Sequence, residues 1–423
     1  MPDHMPPVSP AAPPRSFEPS RHVSRLPRVV QVLLVWAACT AFTLLLARLG
    51  AQDTPATPWA GPRPSWSEHV SFWDSGWYAR IESEGYPTEL PLDESGQVTQ
   101  STWAFMPLLP TLAGLLSWTG ASFYARAALV SLVSSALAAV LSDRWLAPRT
   151  GAPTSLWAVA LVWSGPCALI LQGAYAEPLA LALVVAVLLL ADRRRFLSAL
   201  PLVPLAALAR PVGLPLAAGL GLWWLADLLR SRGVLPAAVR APLESALGAG
   251  LSAAERLRLF VLTVAALASA LLWPALAWAA TGRADAYTAT ETAWRGSHLL
   301  PFTPWVLRSG WWVGEHLGPV LLAGVLLLAG AALGSRALRS TGAVAWTWCV
   351  GYVLYLLVFF DPTSSLLRLL LPLVPVGWAL AGALERHHGP RGLVLALVVG
   401  ILGQVLWISW VWDVASVSIQ WVP

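Results

Sequence analysis

One short aromatic segment carries a carboxylate in a setting where chemistry could take place. The chain reads Phe72-Trp73-Asp74-Ser75-Gly76-Trp77-Tyr78. Aromatic rings favour the headgroup region of a bilayer and also pack against sugar rings. Asp74 could therefore serve as a general base for a hydroxyl group, or could be a solvated residue within an aromatic belt. The segment by itself leaves both interpretations open.

Further polar residues occur at the outer ends of apolar runs or in outer loops, rather than in the middles of the runs. The ones we single out as candidates are Glu177, Arg210, Arg295 and Arg368. A charge at mid-bilayer costs about 2.5–3.5 kcal/mol on insertion scales, and transporters accept that cost because their sites lie near the midplane. Charges confined to one interface favour an enzyme acting there on a lipid-linked substrate over an ion or proton relay.

Each candidate also has a structural interpretation. Arg210 precedes Pro211 and could mark a helix break, and Arg368 could snorkel to the interface. Glu177 stands where a helix is predicted to begin, and a negative charge is favourable there without any function. Arginine nevertheless suits a phosphate group, because its planar fork donates two parallel hydrogen bonds.

The composition sets the class of protein. Of 423 residues, 57% are hydrophobic and 12% are charged. An average soluble domain is about 45–50% apolar and about 25% charged. We therefore predict a polytopic membrane protein and exclude a disordered chain, a disulfide scaffold and a soluble enzyme.

Basic residues, cysteines and motifs narrow the partners and cofactors. The net charge of +5 comes from arginine alone, in short loops, which indicates membrane orientation rather than nucleic-acid binding. The three cysteines lie in apolar runs without metal-ligand spacing. No zinc, P-loop or DxD-like motif is present, so the sequence requires no cofactor, although a divalent metal could bind near Asp74.

Apolar runs divide the chain into segments that can position these residues. We predict a disordered basic cytoplasmic tail over 1–28 and a polytopic membrane domain over 29–423, with a large outer loop over 50–102. The predicted transmembrane helices number eleven: 29–47, 121–141, 152–171, 178–191, 196–210, 213–229, 259–280, 319–333, 342–360, 369–384 and 392–411.

Segment 104–119 is apolar enough to be a twelfth span. If it crossed, every later loop would change sides, and the triplet Arg193–Arg195 would face outward. The positive-inside rule disfavours that arrangement. We therefore predict an interfacial helix on the outer face.

Several segments, in order, resemble signatures of the PIG-V family, the GPI mannosyltransferase 2 proteins and their bacterial relatives. The first segment, around Trp73-Asp74, is the most specific. The resemblance covers 72 to about 375 and includes the segments WDSGWY at 73–78, AFMPLLP at 104–110, AYAEP at 174–178, ARPVGL at 209–214, and Arg368 followed by LPL at 371–373. Met106, Leu109 and Leu369 replace aromatic residues of the family pattern, and Glu82 replaces its usual alanine.

The resemblance implies an all-α, GT-C-type glycosyltransferase that uses a polyprenyl-phosphate sugar as donor substrate. It implies inverting transfer of mannose to an extracytoplasmic glycolipid or glycan, with Asp74 as the catalytic carboxylate of the first outer loop. We assign substrate binding to Trp73, Trp77, Tyr78, Glu177, Arg210, Arg295 and Arg368. The arginine-, alanine- and proline-rich composition favours a bacterial plasma membrane.

Three alternatives stay open at this point. The chain could be a transporter or flippase of lipid-linked sugars, although charge-free span centres speak against a polar pathway. It could be a non-catalytic scaffold of the cell envelope. It could also be a related enzyme that transfers another sugar, such as arabinose or glucose.

Overall fold

The computed structural model describes residues 26–234, 244, 246–294, 300–415 and 422–423. The predicted all-helical class is confirmed for these residues, whose one β-feature is an isolated bridge between Leu92 and Val98. The α-helices are α1 (Arg28–Asp53), α2 (Trp66–His69), α3 (Ser75–Glu84), α4 (Leu108–Gly114), α5 (Phe123–Thr150), α6 (Ala152–Trp163), α7 (Glu177–Asp192), α8 (Phe196–Ala199), α9 (Leu202–Ala209), α10 (Gly213–Ser231), α11 (Ala253–Thr281), α12 (Ala286–Ala293), α13 (Thr303–Val313), α14 (Gly318–Gly334), α15 (Arg336–Arg339), α16 (Ala343–Phe359), α17 (Leu366–Leu369) and α18 (Val374–Trp407).

Shorter turns complete the list of elements. They are 3₁₀ helices at Thr102–Ala104, Ser117–Thr119 and Ala168–Leu171, and a π-helix at Ile408–Trp412 that extends α18. Most of the predicted tail over 1–28 lies outside the described residues. Its last residue, Arg28, begins α1 and pairs with Asp143 at 2.5 Å.

Several helices are long and apolar enough to cross a membrane. In the described part of the chain these are α1, α5, α11 and α18 with its π extension, and a fifth crossing results if α13 and α14, bent by 119°, count as one span. Shorter apolar helices include α6, the pair α8–α9, and α16. This set of apolar helices fits the predicted membrane protein.

Helix ends follow local signals in the sequence. Helix α11 begins at a capping box, where Ser252 and Glu255 satisfy each other's backbone N–H groups. The predicted span 196–210 is broken into α8 and α9 at Pro201, which has no backbone N–H to continue the first helix. Within the predicted span 152–171, the regular helix ends at Trp163, just before Gly165-Pro166.

The apolar segment 104–119 forms only the short helix α4 and a 3₁₀ turn. The seven residues of α4 rise about 10 Å at ~1.5 Å per residue, well below the ~30 Å hydrocarbon core. Helix α4 is thus too short to cross a bilayer, in keeping with the prediction that this segment does not span.

Helix α18 is two antiparallel halves rather than one straight rod. The backbone of Gly389 is non-helical, with φ 59° and ψ −153°. Before this break, a Cβ on Gly377 would lie 2.6 Å from the Val162 side chain; after it, a Cβ on Gly400 would lie 2.8 Å from the Ser164 carbonyl. Both halves therefore reach the same end of α6, as expected for the separate predicted segments 369–384 and 392–411.

Close packing between helices depends on glycine at a few positions, where no side chain separates the two backbones. A Cβ on Gly351 of α16 would lie 2.5 Å from the backbone nitrogen of Gly219 on α10. Only glycine lets two helix backbones approach so closely, which is how small residues favour association in membranes. Helices α7, α10 and α16 form the core of the bundle.

Arginine–aspartate pairs lie at one end of the bundle, where they join neighbouring helices. Asp227 pairs with Arg230 at 2.5 Å and with Arg256 at 3.0 Å, and Arg149 pairs with Asp192 at 2.8 Å. Asp192 ends α7, whereas Glu177 begins it at the other end of the bundle. The segment after α1, which contains α2 and α3, packs over that second end.

Candidate active site

The residue before Asp74 has a strained backbone. Trp73 adopts φ 62°, a left-handed conformation that costs a side-chain-bearing residue about 1–3 kcal/mol. Its indole N–H donates to the carbonyl of Trp412 at 3.2 Å, and its ring lies 4.3 Å from that of Trp59. These contacts hold the conformation that turns the chain into α3 at Asp74.

Two hydrogen bonds fasten this turn to the segment before α7, and a third fastens that segment to α5. The Tyr175 hydroxyl donates to the carbonyl of Phe72 at 3.0 Å, and the Ser75 hydroxyl donates to the carbonyl of Ala174 at 3.2 Å. The Ser131 hydroxyl donates to the carbonyl of Tyr175 at 2.7 Å. All three bonds are buried, so the positions of Asp74 and of the start of α7 are fixed relative to each other.

Asp74 occupies the N-cap position of α3 without capping it. Aspartate at this position usually accepts a backbone N–H of the first helical turn, but here no such bond forms. The carboxylate instead accepts a hydrogen bond at Oδ2 from Nη1 of Arg368, at 2.7 Å. The local fold therefore directs the carboxylate towards a distant arginine.

Two carboxylates and two guanidinium groups meet at this point. Glu177 Oε1 lies 3.3 Å from Nη2 of Arg210 and 3.6 Å from Nη1 of Arg368, which also binds Asp74. We call Asp74, Glu177, Arg210 and Arg368 the four-residue cluster. It draws on four separate segments: the loop before α3, the start of α7, the break between α9 and α10, and α17.

The cluster is sheltered and electrically balanced. Its two negative and two positive groups cancel, and side-chain exposure runs from 7% for Glu177 to 19% for Asp74. Ion pairs with so little contact with water are screened far less than surface pairs. A charged ligand that enters would therefore act strongly on these four groups.

Hydrogen-bonding capacity in the cluster is only partly used. Both carboxylate oxygens of Glu177 and the Nε of Arg368 are buried and make no hydrogen bond with the described residues. Burial acts to lower the pKa of the Arg368 guanidinium, but Asp74 and Glu177 outweigh it and hold that pKa above its ordinary value. Arg368 therefore stays charged and keeps a spare donor for an anionic ligand.

The aromatic candidates take different positions around the cluster. Trp73 is 9% exposed and Tyr78 is fully buried, so neither presents a free ring face. Burial raises the pKa of Tyr78, which lies beside Arg210 and remains a neutral phenol. Trp77 is half-buried, stacks on Phe105 at 5.7 Å and has the guanidinium of Arg80 over its ring. Of the three, Trp77 is the most exposed.

The structure does not place one of the candidates, because Arg295 lies outside the described residues. Glu82 pairs with Arg126 at 2.7 Å rather than joining Asp74. The structure thus brings Asp74, Glu177, Arg210 and Arg368 together, with Tyr78 next to them.

Sequence reasoning missed two residues that hold the site. Tyr175 lies within the segment AYAEP quoted for its glutamate, and its spacing two residues before Glu177 is the signal that could have identified it. Trp412 stacks on Phe72 and accepts the Trp73 hydrogen bond through its carbonyl. Nothing in its apolar surroundings marks Trp412 in the sequence.

Neither a cluster of metal-ligating side chains nor a similarity to known proteins accompanies this geometry in the described residues. Within the described ranges, no three or more His, Cys, Asp or Glu side chains come together in a way that could hold a metal ion. Comparison with protein-family models gives no match, and comparison with curated proteins gives none either.

Proposed function

We propose that the protein is a membrane mannosyltransferase of the GT-C type. Its donor is mannose on a polyprenyl phosphate, and its acceptor is a hydroxyl group of an extracytoplasmic glycolipid or glycan. The observation that carries the proposal is the four-residue cluster, in which Asp74 binds Arg368, an arginine with a spare Nε donor, beside the pair formed by Arg210 and Glu177. The resemblance to the PIG-V signatures supplies the sugar and the carrier.

The reaction assigns a role to each charged group. The acceptor oxygen attacks C1 of the mannosyl phosphate from the face opposite the phosphate, and the bond between C1 and the phosphate oxygen breaks. The phosphate leaves on its polyprenyl chain with the bonding electrons, and the acceptor proton passes to Asp74. Attack from the opposite face converts a β-phosphate into an α-mannoside. A positioned base accelerates such a step about 10²–10⁴-fold.

Arg368 and Arg210 stabilise the charge that develops on the leaving phosphate. Preorganised donors in a sheltered site act at full strength because they need no reorganisation during the reaction. The buried Nε of Arg368 has no partner in the described residues and suits a phosphate oxygen. Glu177, 3.3 Å from Arg210 and 3.6 Å from Arg368, orients both guanidinium groups.

The membrane arrangement belongs to the same proposal. We propose eleven crossings, with the ends held by arginine–aspartate pairs facing the cytoplasm and the four-residue cluster facing outward, in a bacterial plasma membrane. The supporting observations are the antiparallel halves of α18 and the short α4. A carrier-linked sugar then reaches the cluster from the outer leaflet.

A transfer assay with several donors tests the function. Purified protein in liposomes receives polyprenyl-phosphate [¹⁴C]mannose and membrane lipids from a strain that lacks the gene. The Asp74→Ala variant controls for contaminating transferases, and Asp93→Asn, which changes an exposed carboxylate of the same outer segment, controls for general damage. Parallel reactions use polyprenyl-phosphate glucose and arabinose.

We expect label in a new glycolipid, with release of polyprenyl phosphate, for wild type and Asp93→Asn but not for Asp74→Ala. Transfer only from the glucose or arabinose carrier would overturn the choice of mannose. Label that changes leaflet while still on its carrier would identify a flippase. If label neither moves nor transfers, the scaffold interpretation replaces the enzyme.

A further inference from the structure

We propose that a second anion site lies at the other end of the bundle and binds the phosphate group of a lipid headgroup or of a soluble phosphate compound. A cavity of about 250 Å³ opens there. Its lining includes Arg149, Arg194, Arg339, Asp192 and Trp223. The function proposed above does not use this cavity.

The cavity carries an excess of positive charge. Three guanidinium groups face one carboxylate, that of Asp192, which pairs with Nη2 of Arg149 at 2.8 Å. Arg194 and Arg339 form no ion pair with Asp192 in the described structure. The side chains that line the cavity therefore carry two more positive charges than negative ones. Glu255, which interacts electrostatically with Arg194 from outside the lining, offsets part of this excess, and an anion would offset the rest.

Donors in the cavity wall are free and buried. The Nη1 of Arg194 and the Nε of Arg339 are shielded from water and make no hydrogen bond with the described residues. The rest of Arg194 is fixed, because its Nη2 donates to the carbonyl of Ala249 at 3.0 Å and its guanidinium lies 5.2 Å from the centre of the Trp223 ring. Leaving such a donor unsatisfied is unfavourable, so both nitrogens are suited to a ligand oxygen.

A helix terminus adds backbone donors at the same place. Helix α16 begins at Ala343, and its N-cap residue Gly342 provides no side-chain cap. Residues 342–344 line the cavity. The first backbone N–H groups of a helix have no partner within it and favour phosphate. Three arginines around an uncapped helix start are the pattern expected of a phosphate site.

Arg149 fits against this helix start because Gly342 has no side chain. A Cβ on Gly342 would lie 2.7 Å from the Nε of Arg149, and the φ of 103° also favours glycine. The guanidinium can thus lie directly beside the helix terminus. Charge and backbone donors then converge on one ligand.

The cavity is well separated from the four-residue cluster. Helix α7 starts at Glu177 in the cluster and ends at Asp192 in the cavity. At ~1.5 Å per residue its ends lie about 22 Å apart. A ligand in the cavity therefore cannot be the reacting donor phosphate, and binding there is measurable independently of transfer.

Isothermal titration calorimetry of the full-length protein in a neutral detergent tests the site. The probes are inorganic phosphate and dihexanoyl phosphatidylglycerol, with dihexanoyl phosphatidylcholine as the headgroup without net charge. The test variant is Arg194→Gln/Arg339→Gln. The matched control is Arg193→Gln/Arg336→Gln, which removes the same charge from exposed neighbours outside the cavity lining.

We expect at least one anionic probe to bind wild type and the control double variant equally, and to bind the test variant at least about 100-fold more weakly, since two charge-assisted hydrogen bonds are lost. Phosphatidylglycerol alone binding in this way would identify a lipid headgroup; inorganic phosphate alone would identify a soluble compound. No binding to wild type, or equal binding to wild type and the test variant, would overturn the proposal.

A conservative variant covers the case in which the double variant does not fold. Arg339→Lys keeps the charge but removes the Nε donor. A monodisperse Arg339→Lys protein should bind the same probe several-fold more weakly than wild type. Unchanged binding by this variant would overturn the proposal.

Discussion

The charges of Asp74, Glu177, Arg210 and Arg368 are mutually dependent. Glu177 lies within 3.6 Å of both arginines, and Arg368 also binds Asp74 at 2.7 Å. Removing one member leaves an unbalanced charge in a poorly hydrated place, whereas removing an opposite pair does not. The stability losses caused by substituting these four residues should therefore not add, whereas the losses from independent surface residues do.

A double-mutant cycle measures this dependence. Arg210→Gln should destabilise the protein by about 2–3 kcal/mol, somewhat below the ~3–5 kcal/mol expected for a fully buried pair, because its side chain is partly exposed. Adding Glu177→Gln should recover part of that loss. The measurement is the thermal unfolding midpoint of the detergent-solubilised protein.

The matched control for the cycle is Arg283→Gln. Arg283 also pairs with a carboxylate, Asp285 at 2.9 Å, but both side chains are largely exposed. Its substitution should leave the unfolding midpoint nearly unchanged. If the Arg210 and Glu177 losses simply add, the two residues are not coupled and the cluster is not a charge-balanced unit.

At the scale of elements, the site depends on how one turn is held. Trp73 keeps a strained conformation, and Asp74 follows it without capping α3. The hydrogen bond from Tyr175 to the Phe72 carbonyl ties this turn to the start of α7. In the proposed reaction, Tyr175 is therefore a positioning residue, which acts through Asp74 rather than on the substrate.

Tyr175→Phe should slow transfer and leave donor affinity intact. Losing the hydroxyl leaves a buried carbonyl without its partner and loosens Asp74 relative to Glu177, and a 1 Å misplacement near reacting atoms can cost ~10²-fold in rate. We expect kcat to fall about tenfold or more with KM changing less than threefold. Steady-state transfer kinetics provide both values.

Tyr86→Phe serves as the control, because the Tyr86 hydroxyl also donates to a backbone carbonyl, that of Phe105, at 2.9 Å. The two variants lose the same chemical group, Tyr86 from the segment after α3 and Tyr175 from the segment before α7. Equal kinetics for Tyr175→Phe and Tyr86→Phe would show that the Tyr175 hydrogen bond does not position Asp74.

The sequence predicted most elements but not how they meet. The apolar run predicted over 178–191 lies within α7, and the run over 342–360 contains α16, because composition and length largely determine such helices. The predicted span 196–210 is two helices, because Pro201 ends the first helix although the apolar run continues. Asp74 and Arg368 are 294 positions apart, and their contact depends on packing that no local pattern encodes.

At the scale of the whole molecule, the chain reverses direction at Gly389, and this reversal determines at which end of the bundle the residues around 387 lie. Two antiparallel halves place the residues around 387 at the end of the bundle where Glu385 of α18 accepts a hydrogen bond from Thr154, near the start of α6. A straight helix of the same length would place them in mid-membrane. In the proposed topology, this end of the bundle faces the cytoplasm.

Single-cysteine labelling tests this topology. In a background without Cys39, Cys167 and Cys349, the variants Asp93→Cys, Ser340→Cys and His387→Cys place thiols at exposed positions. A membrane-impermeant maleimide should label position 93 in intact cells and positions 340 and 387 only after permeabilisation. Failure to label position 387 in either condition would indicate a straight α18, and labelling of 340 in intact cells would invert the proposed orientation.

The most direct test of the central claim is a single-turnover measurement of mannose transfer at saturating donor, comparing wild type, Asp74→Asn and the exposed control Asp93→Asn. Asparagine keeps the size of the side chain but cannot accept the acceptor proton. The account predicts a rate at least about 100-fold lower for Asp74→Asn, with donor binding retained and Asp93→Asn unchanged. Transfer by Asp74→Asn at the wild-type rate would contradict the assignment of this cluster as the catalytic site.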